Sequence, residues 1–171
     1  LQSATVLADK TPYENKGTIN GATFTTDRKG QPNSAMSFNG TDNYIDCGND
    51  SSLNFGNNDF SISFWIKATP QTGDKGIVGK RTGNWKAINP GFEIRGGMTR
   101  IDVVLADNVN NLNGIGVINN ALNNQWNYIA YSFDRSSNLL GYLNGENVSS
   151  DDISSVSQSI SNTKLWDIGR T

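Results

Sequence analysis

Histidine is absent from the 171 residues of this chain, and cysteine occurs once. The first absence removes Ser-His and Cys-His nucleophilic systems and the usual imidazole zinc sites. The second excludes an internal disulfide. Cys47, in Tyr44-Ile45-Asp46-Cys47-Gly48, is therefore expected as a buried strand-end thiol and not as a nucleophile. Glutamate is confined to Glu14, Glu93 and Glu146, none with a second acid two residues away. Charge of either sign is sparse and the formal net charge is −2, so there is no electrostatic footprint for nucleic acid or an anionic membrane surface. No apolar run approaches the roughly 18 residues of a membrane span, so no membrane insertion is expected. Nor does a basic-then-apolar segment open the chain, so any export signal is expected to have been removed or left out of this sequence. Helical apolar periodicity is missing from every stretch of ten or more residues.

What is abundant is turn chemistry. The chain holds 24 Asn and 18 Gly, the composition of many short strands joined by tight turns. The clearest strand is Phe60-Ser61-Ile62-Ser63-Phe64-Trp65-Ile66-Lys67, in which positions 60, 62, 64 and 66 are large and apolar while 61, 63 and 67 are polar. Shorter segments repeat the theme. Ala35 to Phe38, the Asn39-Gly40 turn and Tyr44 to Cys47 read as a hairpin. Gly91 to Arg95 and Arg100 to Leu105 read as another, closed by Gly96-Gly97. Leu139 to Leu143 turns at Asn144-Gly145 into a partner strand. Gln125 to Asp134 is apolar on both faces and reads as a central, covered strand. Regular short strands separated by turns predict an all-β, antiparallel two-sheet β-sandwich in one domain over residues 1–171.

In order along the chain, Asn15 to Thr23, Thr26 to Gly30, Ala35 to Gly40 with Asp42 to Ile45, Phe60 to Lys67, Ile77 to Lys80, Trp126 to Ala130, Tyr142 to Gly145 and Ile168-Gly169 together resemble the laminin-G-like, concanavalin A-like lectin/glucanase family. The resemblance covers most of the chain and implies jelly-roll connectivity. It also implies one further strand beyond Ile168-Gly169. Without that strand a sheet edge would stand open for pairing or self-assembly.

The resemblance directs attention to two places. The kinked polar loop from Asp9 to Gly17 offers Asp9, Asn15 and a backbone carbonyl near Gly17 as hard oxygen donors, where relatives hold a structural Ca²⁺. The alternative is that Asp9 caps its own turn. The loop after Ile77 to Lys80 carries Trp85, the one tryptophan outside an alternating strand. With Lys80, Arg81, Asn84, Glu93 and Arg95 it forms a candidate sugar site, an aromatic platform ringed by amide and charged groups. Trp65, Trp126 and Trp166 are expected in the core. Asp42, Asp46, Asp50 and Asp59 read as turn residues, and the sequons at Asn39, Asn49 and Asn147 are expected by chance in so Asn-rich a chain.

Catalysis is disfavoured. Glucanases that this chain is similar to carry Glu-x-Asp-x-x-Glu on one strand, so that two acids share a face. That spacing does not occur here, and the adjacent pair Asp151-Asp152 would point to opposite faces of a strand. The expectation is a non-catalytic module that binds a glycan or a protein surface, extracellular, on a cell surface or on a virion. The alternative is a structural subunit of a filament, pilus or capsid.

Overall fold

The computed structural model describes residues 5–81 and 86–170. The first strands are short: β1 (Val6–Leu7), β2 (Gly17–Asn20), β3 (Thr23–Thr25), β4 (Ala35–Ser37) and β5 (Tyr44–Asp46). Longer ones follow: β6 (Phe60–Ile66), β7 (Gln71–Lys80), β8 (Gly91–Met98), β9 (Arg100–Ala106), β10 (Asn111–Ile118), β11 (Asn127–Phe133), β12 (Asn138–Leu143) and β13 (Glu146–Asp152). A two-residue β14 (Asp167–Ile168) comes last. The only helical turn among the described residues is a 3-10 turn at Ser51–Leu53, capped by Asp50 through the Ser52 amide.

Eight strands form one sheet in the order β1-β2-β5-β14-β7-β8-β9-β10, and four form a second in the order β13-β12-β11-β6. Every named strand pair is antiparallel. The core lies between the two sheets. Phe60, Ile62, Phe64 and Ile66 of β6 share its apolar face with Ile129, Tyr131 and Phe133 of β11 and meet Phe92, Ile94, Ile101, Val103 and Leu105 of the larger sheet. Phe60 stacks between Phe55 and Phe133, at centroid distances of 4.2 and 4.1 Å. Trp166 meets Phe55 and Phe92 edge-on. Each such side chain stabilises the sandwich by about 1.5–3 kcal/mol through burial.

At one edge of the sandwich the two sheets are tied together. Gly116 of β10 donates its N–H to Asp151 of β13 at 2.8 Å, and its carbonyl accepts the buried Tyr131 hydroxyl at 2.8 Å. Gly116 has φ +61°, and a Cβ there would lie 2.7 Å from Leu139 Cδ2, so only glycine fits.

The sandwich reading and the Asn144-Gly145 hairpin hold: β12 pairs with β13, and both turn residues have positive φ. Three local expectations do not. Ala35 to Phe38 and Tyr44 to Cys47 are not a hairpin, because β4 pairs with β3 while β5 lies between β2 and β14. Asn39 is the reason. Its Oδ1 accepts the amides of Thr41, Asp42 and Asn43, building a wider loop that sends the chain elsewhere. Gly96-Gly97 does not close the β8–β9 hairpin either. Both glycines sit inside β8, with Gly97 opposite Arg100, and Met98 at φ +54° makes the turn. Trp65 is not in the core; it lies 44% exposed on the outer face of the smaller sheet. Strand β11 is central, as its composition indicates, but only one of its faces is fully buried. The edges of the large sheet are β1 and β10, and β14 is interior, between β5 and β7.

Candidate functional site

Of the residues proposed for a sugar site from sequence, the described ones, Lys80, Arg81, Glu93 and Arg95, do not converge on one open surface. Lys80 ends β7, is 3% exposed, and points its ammonium at the side-chain oxygens of Asn49 and Asn54, the latter at 2.8 Å. Burial lowers its pKa. Arg81 donates to the carbonyl of Ala87, and burial lowers its pKa against the pull of Glu93. Glu93 and Arg95 share the outer face of β8. Burial pushes the Glu93 carboxyl up, opposed by the charges of Arg81 and Arg95. Arg95 is already committed: its guanidinium meets Asp102 at 2.6 Å, Asn113 at 2.6 Å and Asp74 at 3.4 Å, while Arg100 takes the second oxygen of Asp102 at 3.0 Å. This network fastens four strands, β7 to β10. Asn84 and Trp85 lie outside the described residues.

The Asp9 loop is held by its own donors. Asp9 Oδ1 accepts the Thr11 amide at 2.8 Å, and Oδ2 accepts the Thr11 hydroxyl at 2.7 Å and the Asn15 amide at 2.8 Å. These bonds hold the carboxyl below its ordinary value. The Asn15 side chain donates to Ser52 Oγ at 2.9 Å, and Gly17 opens β2 with its Cα hydrogens facing Ile45 and Cys47. A Ca²⁺ ion needs six to eight oxygen ligands. Here one carboxylate serves as a turn cap, and no group of three or more acidic, His or Cys side chains is gathered among the described residues. This donor set does not fit a calcium cage. Cys47 is half-buried, and burial together with Asp46, Asp167 and Asp9 pushes its thiol up to about 11, which keeps it unreactive.

The surface that sequence reasoning missed is the outer face of the four-stranded sheet. The register aligns Trp65 with Tyr128, Ser63 with Ala130 and Tyr142, and Ser61 with Ser132 and Leu140. Small side chains therefore floor a trough walled by Tyr128 and Tyr142. The open concavity is about 310 Å³, and a second of about 270 Å³ continues it past Ser61 and Ser132 to Asp59 and Asp134. From Asp59 to Trp65 the face runs roughly 20 Å at about 3.3 Å per residue. Trp65 leans against Tyr128 at 5.3 Å between centroids, and the Arg28 guanidinium lies 4.3 Å over the Trp65 ring. At the other end both carboxylates hold the chain: Asp59 accepts the Arg135 amide at 2.7 Å, and Asp134 accepts the Ser136 amide and hydroxyl at 3.1 and 2.8 Å. A signal for this face was present in the sequence: Trp65 falls on the parity of Ser61 and Ser63, not on that of Phe60, Ile62, Phe64 and Ile66.

An open trough with aromatic walls and a hydroxyl floor is suited to holding a polyhydroxylated ligand by shape and hydrogen bonds. Comparison with known proteins bears on what such a surface serves. Residues 4–168 match the family described as Clostridium neurotoxin, N-terminal receptor binding. No curated protein matches the chain. Among solved structures, the binding domain of Paraclostridial Mosquitocidal Protein 1 superposes with a TM-score of 0.77 at 17% identity, over 98% of this chain and 44% of that one. The botulinum neurotoxin serotype D ligand-binding domain in complex with N-acetylneuraminic acid gives 0.73 at 16%, over 96% and 40%. The binding domain of botulinum neurotoxin DC in complex with rat synaptotagmin II gives 0.56 at 13%, over 98% and 38%. At these identities the likeness is one of fold, and the chain spans less than half the length of each of these structures. The family match corrects the laminin-G-like resemblance: the two-sheet architecture stands, but the family is a different one.

Proposed function

This chain belongs to the Clostridium neurotoxin N-terminal receptor-binding family, and from that premise we propose that it is a non-catalytic module engaging a glycan at a target cell surface through the outer face of its four-stranded sheet. The observation that carries this reading is Trp65, which is exposed beside Tyr128 on a sheet face that also presents Ser61, Ser63, Ala130 and Ser132. A sheet face that served only as solvent-exposed wall would not gather Trp65, Tyr128 and Tyr142 around small residues. The N-acetylneuraminic acid complex of the serotype D domain supports a glycan as the partner. Such a module acts outside the cell that makes it. Hydrolysis has no place in the reading, because Asp59 and Asp134 at the far end act as loop caps in an open trough.

A glycan array followed by titration calorimetry tests the proposal. The chain is expected to bind a subset of oligosaccharides, and Tyr142→Ala is expected to weaken that binding at least about tenfold, the loss of one aromatic wall. Absence of binding to every glycan, or binding indifferent to Tyr142→Ala, would remove it. Turnover of any glycan in the same panel would overturn the non-catalytic part.

A protein receptor is the second reading. The botulinum neurotoxin DC domain was solved with rat synaptotagmin II, and β13 here is an edge strand with Val148 46% exposed, a geometry that can accept an added strand.

A further inference from the structure

The two packed sheets end in four edge strands, and three of them carry features that discourage pairing. β1 is two residues long. β10 is broken by Gly114 and Gly116, both at positive φ. β13 has a register shift, three acidic residues and a bond from Asp151 to β10. β6 has none of these devices. It runs seven residues in unbroken register with β11, without proline, glycine or bulge. An antiparallel strand turns alternate N–H and C=O groups away from its partner. Among the described residues, those of β6 meet no further backbone, because β3 and β4 form a sheet of their own and no loop bonds to residues 60–66. The core is open at the same place. Phe60, Ile62, Phe64 and Ile66 are only partly buried, while Ile129, Tyr131 and Phe133 on the adjoining β11 are fully buried.

The layers decide what can enter. β10 packs across from β12 and β13, Phe60 of β6 meets Phe92 of β8, and Phe55 meets Trp166 beside β14. The eight-stranded sheet therefore continues past β6 through β5, β2 and β1, roughly 14 Å at about 4.8 Å per strand. On the far side Phe38, next to β4, packs against Gly169, so the opening is a slot and not a broad face. A second folded copy cannot bring its own β6 alongside, since the overhanging strands of the two large sheets would occupy the same space. A single extended chain can enter. Charge sets its direction: Asp59 precedes β6 and exposed Lys67 follows it. An antiparallel newcomer offers a basic residue to Asp59 from its C-terminal end and an acidic residue to Lys67 from its N-terminal end.

We propose that β6 is a strand-acceptor edge, which takes one extended segment of a partner protein as an antiparallel fifth strand of the smaller sheet. The segment alternates apolar residues, turned into the core beside Phe60, Ile62, Phe64 and Ile66, with polar residues on the outer face. The inference rests on the protein-receptor reading and moves its contact from β13 to β6.

The probe is a capped peptide with the sequence of residues 59–67, which carries this alternation between an N-terminal aspartate and a C-terminal lysine. Calorimetry measures its affinity, and hydrogen exchange of the chain is followed with and without it. Saturable binding of one peptide per chain is expected, with exchange slowed at alternate amides of Phe60–Ile66. Lys67→Glu, at an exposed position, weakens the peptide about three- to tenfold, and a peptide with lysine in place of its N-terminal aspartate recovers the loss. A peptide of the same composition without the alternation does not bind. Protection at Glu146–Asp152 in place of β6 overturns the proposal and leaves the receptor contact at β13 standing. No binding by the probe overturns the proposal and removes the added strand from the protein-receptor reading as well. Protection of β6 in the chain alone, with a dimeric mass by light scattering, gives the edge to a second copy and overturns the proposal too.

Discussion

The tied edge at Gly116 gives the sharpest test of the fold, because Gly114 supplies an internal control two residues away. Both glycines lie in β10 with positive φ, +68° at Gly114 and +61° at Gly116. Alanine at either position incurs the left-handed backbone cost of about 1–2 kcal/mol. At Gly114 a Cβ meets nothing within 4 Å, so that cost stands alone. At Gly116 the same atom falls 2.7 Å from Leu139 Cδ2 and 2.9 Å from Tyr131 Cε1, both fully buried side chains that cannot swing aside. Overpacking of this kind adds about 1–3 kcal/mol. The Tyr131 hydroxyl bond to the Gly116 carbonyl is strained with it. Gly114→Ala should therefore lose about 1–2 kcal/mol and Gly116→Ala about 2–5 kcal/mol. For a domain of this size the difference between them is a Tm gap of several degrees, at about 2–4 °C per kcal/mol. Urea unfolding followed by tryptophan fluorescence, with calorimetric melting in parallel, measures both. Equal losses in the two variants would refute the packing argument and mean that β10 does not press against β11 and β12 as described.

Two further outcomes follow from the charged groups. Burial raises the Glu93 carboxyl above its ordinary value of 4.5; the folded chain then holds a proton that the unfolded chain releases, so this group's contribution to stability falls as pH rises from 4.5 through the folded value. Glu93→Gln removes that dependence, giving a Tm equal to the parent's near about pH 4 and higher near about pH 7.5; a lower Tm at neutral pH would mean that attraction to Arg81 and Arg95 outweighs burial. The Asp9 loop, closed by the amides of Thr11 and Asn15, is expected to melt at the same temperature in Ca²⁺ and in EDTA. A calcium-dependent rise of several degrees would show that these oxygens exchange their N–H partners for the ion.

The candidate site was only half legible. The parity of Trp65 was written in β6, but the aromatic pattern of the strand drew the residue into the expected core. Lys80 and Arg95 looked like free ligand groups because sequence does not show that Asn49, Asn54, Asp102 and Asp74 arrive beside them from 7 to 31 residues away. The place of Arg28 gave no local sign at all, since the Trp65 ring it lies over comes from a distant strand.

By itself the order of residues determined the strand period, the polar turns and the absence of histidine-based chemistry, because each depends on side-chain alternation or on composition within a few residues. It also determined the Asn144-Gly145 hairpin, whose two positive φ values are a local matter. Tertiary structure decided that β4 joins β3, that β14 slots between β5 and β7, and that one face of the smaller sheet stays uncovered. Those outcomes depend on contacts between distant segments, whose loop-closure entropy and packing complementarity are properties of the assembled sandwich and not of any one strand.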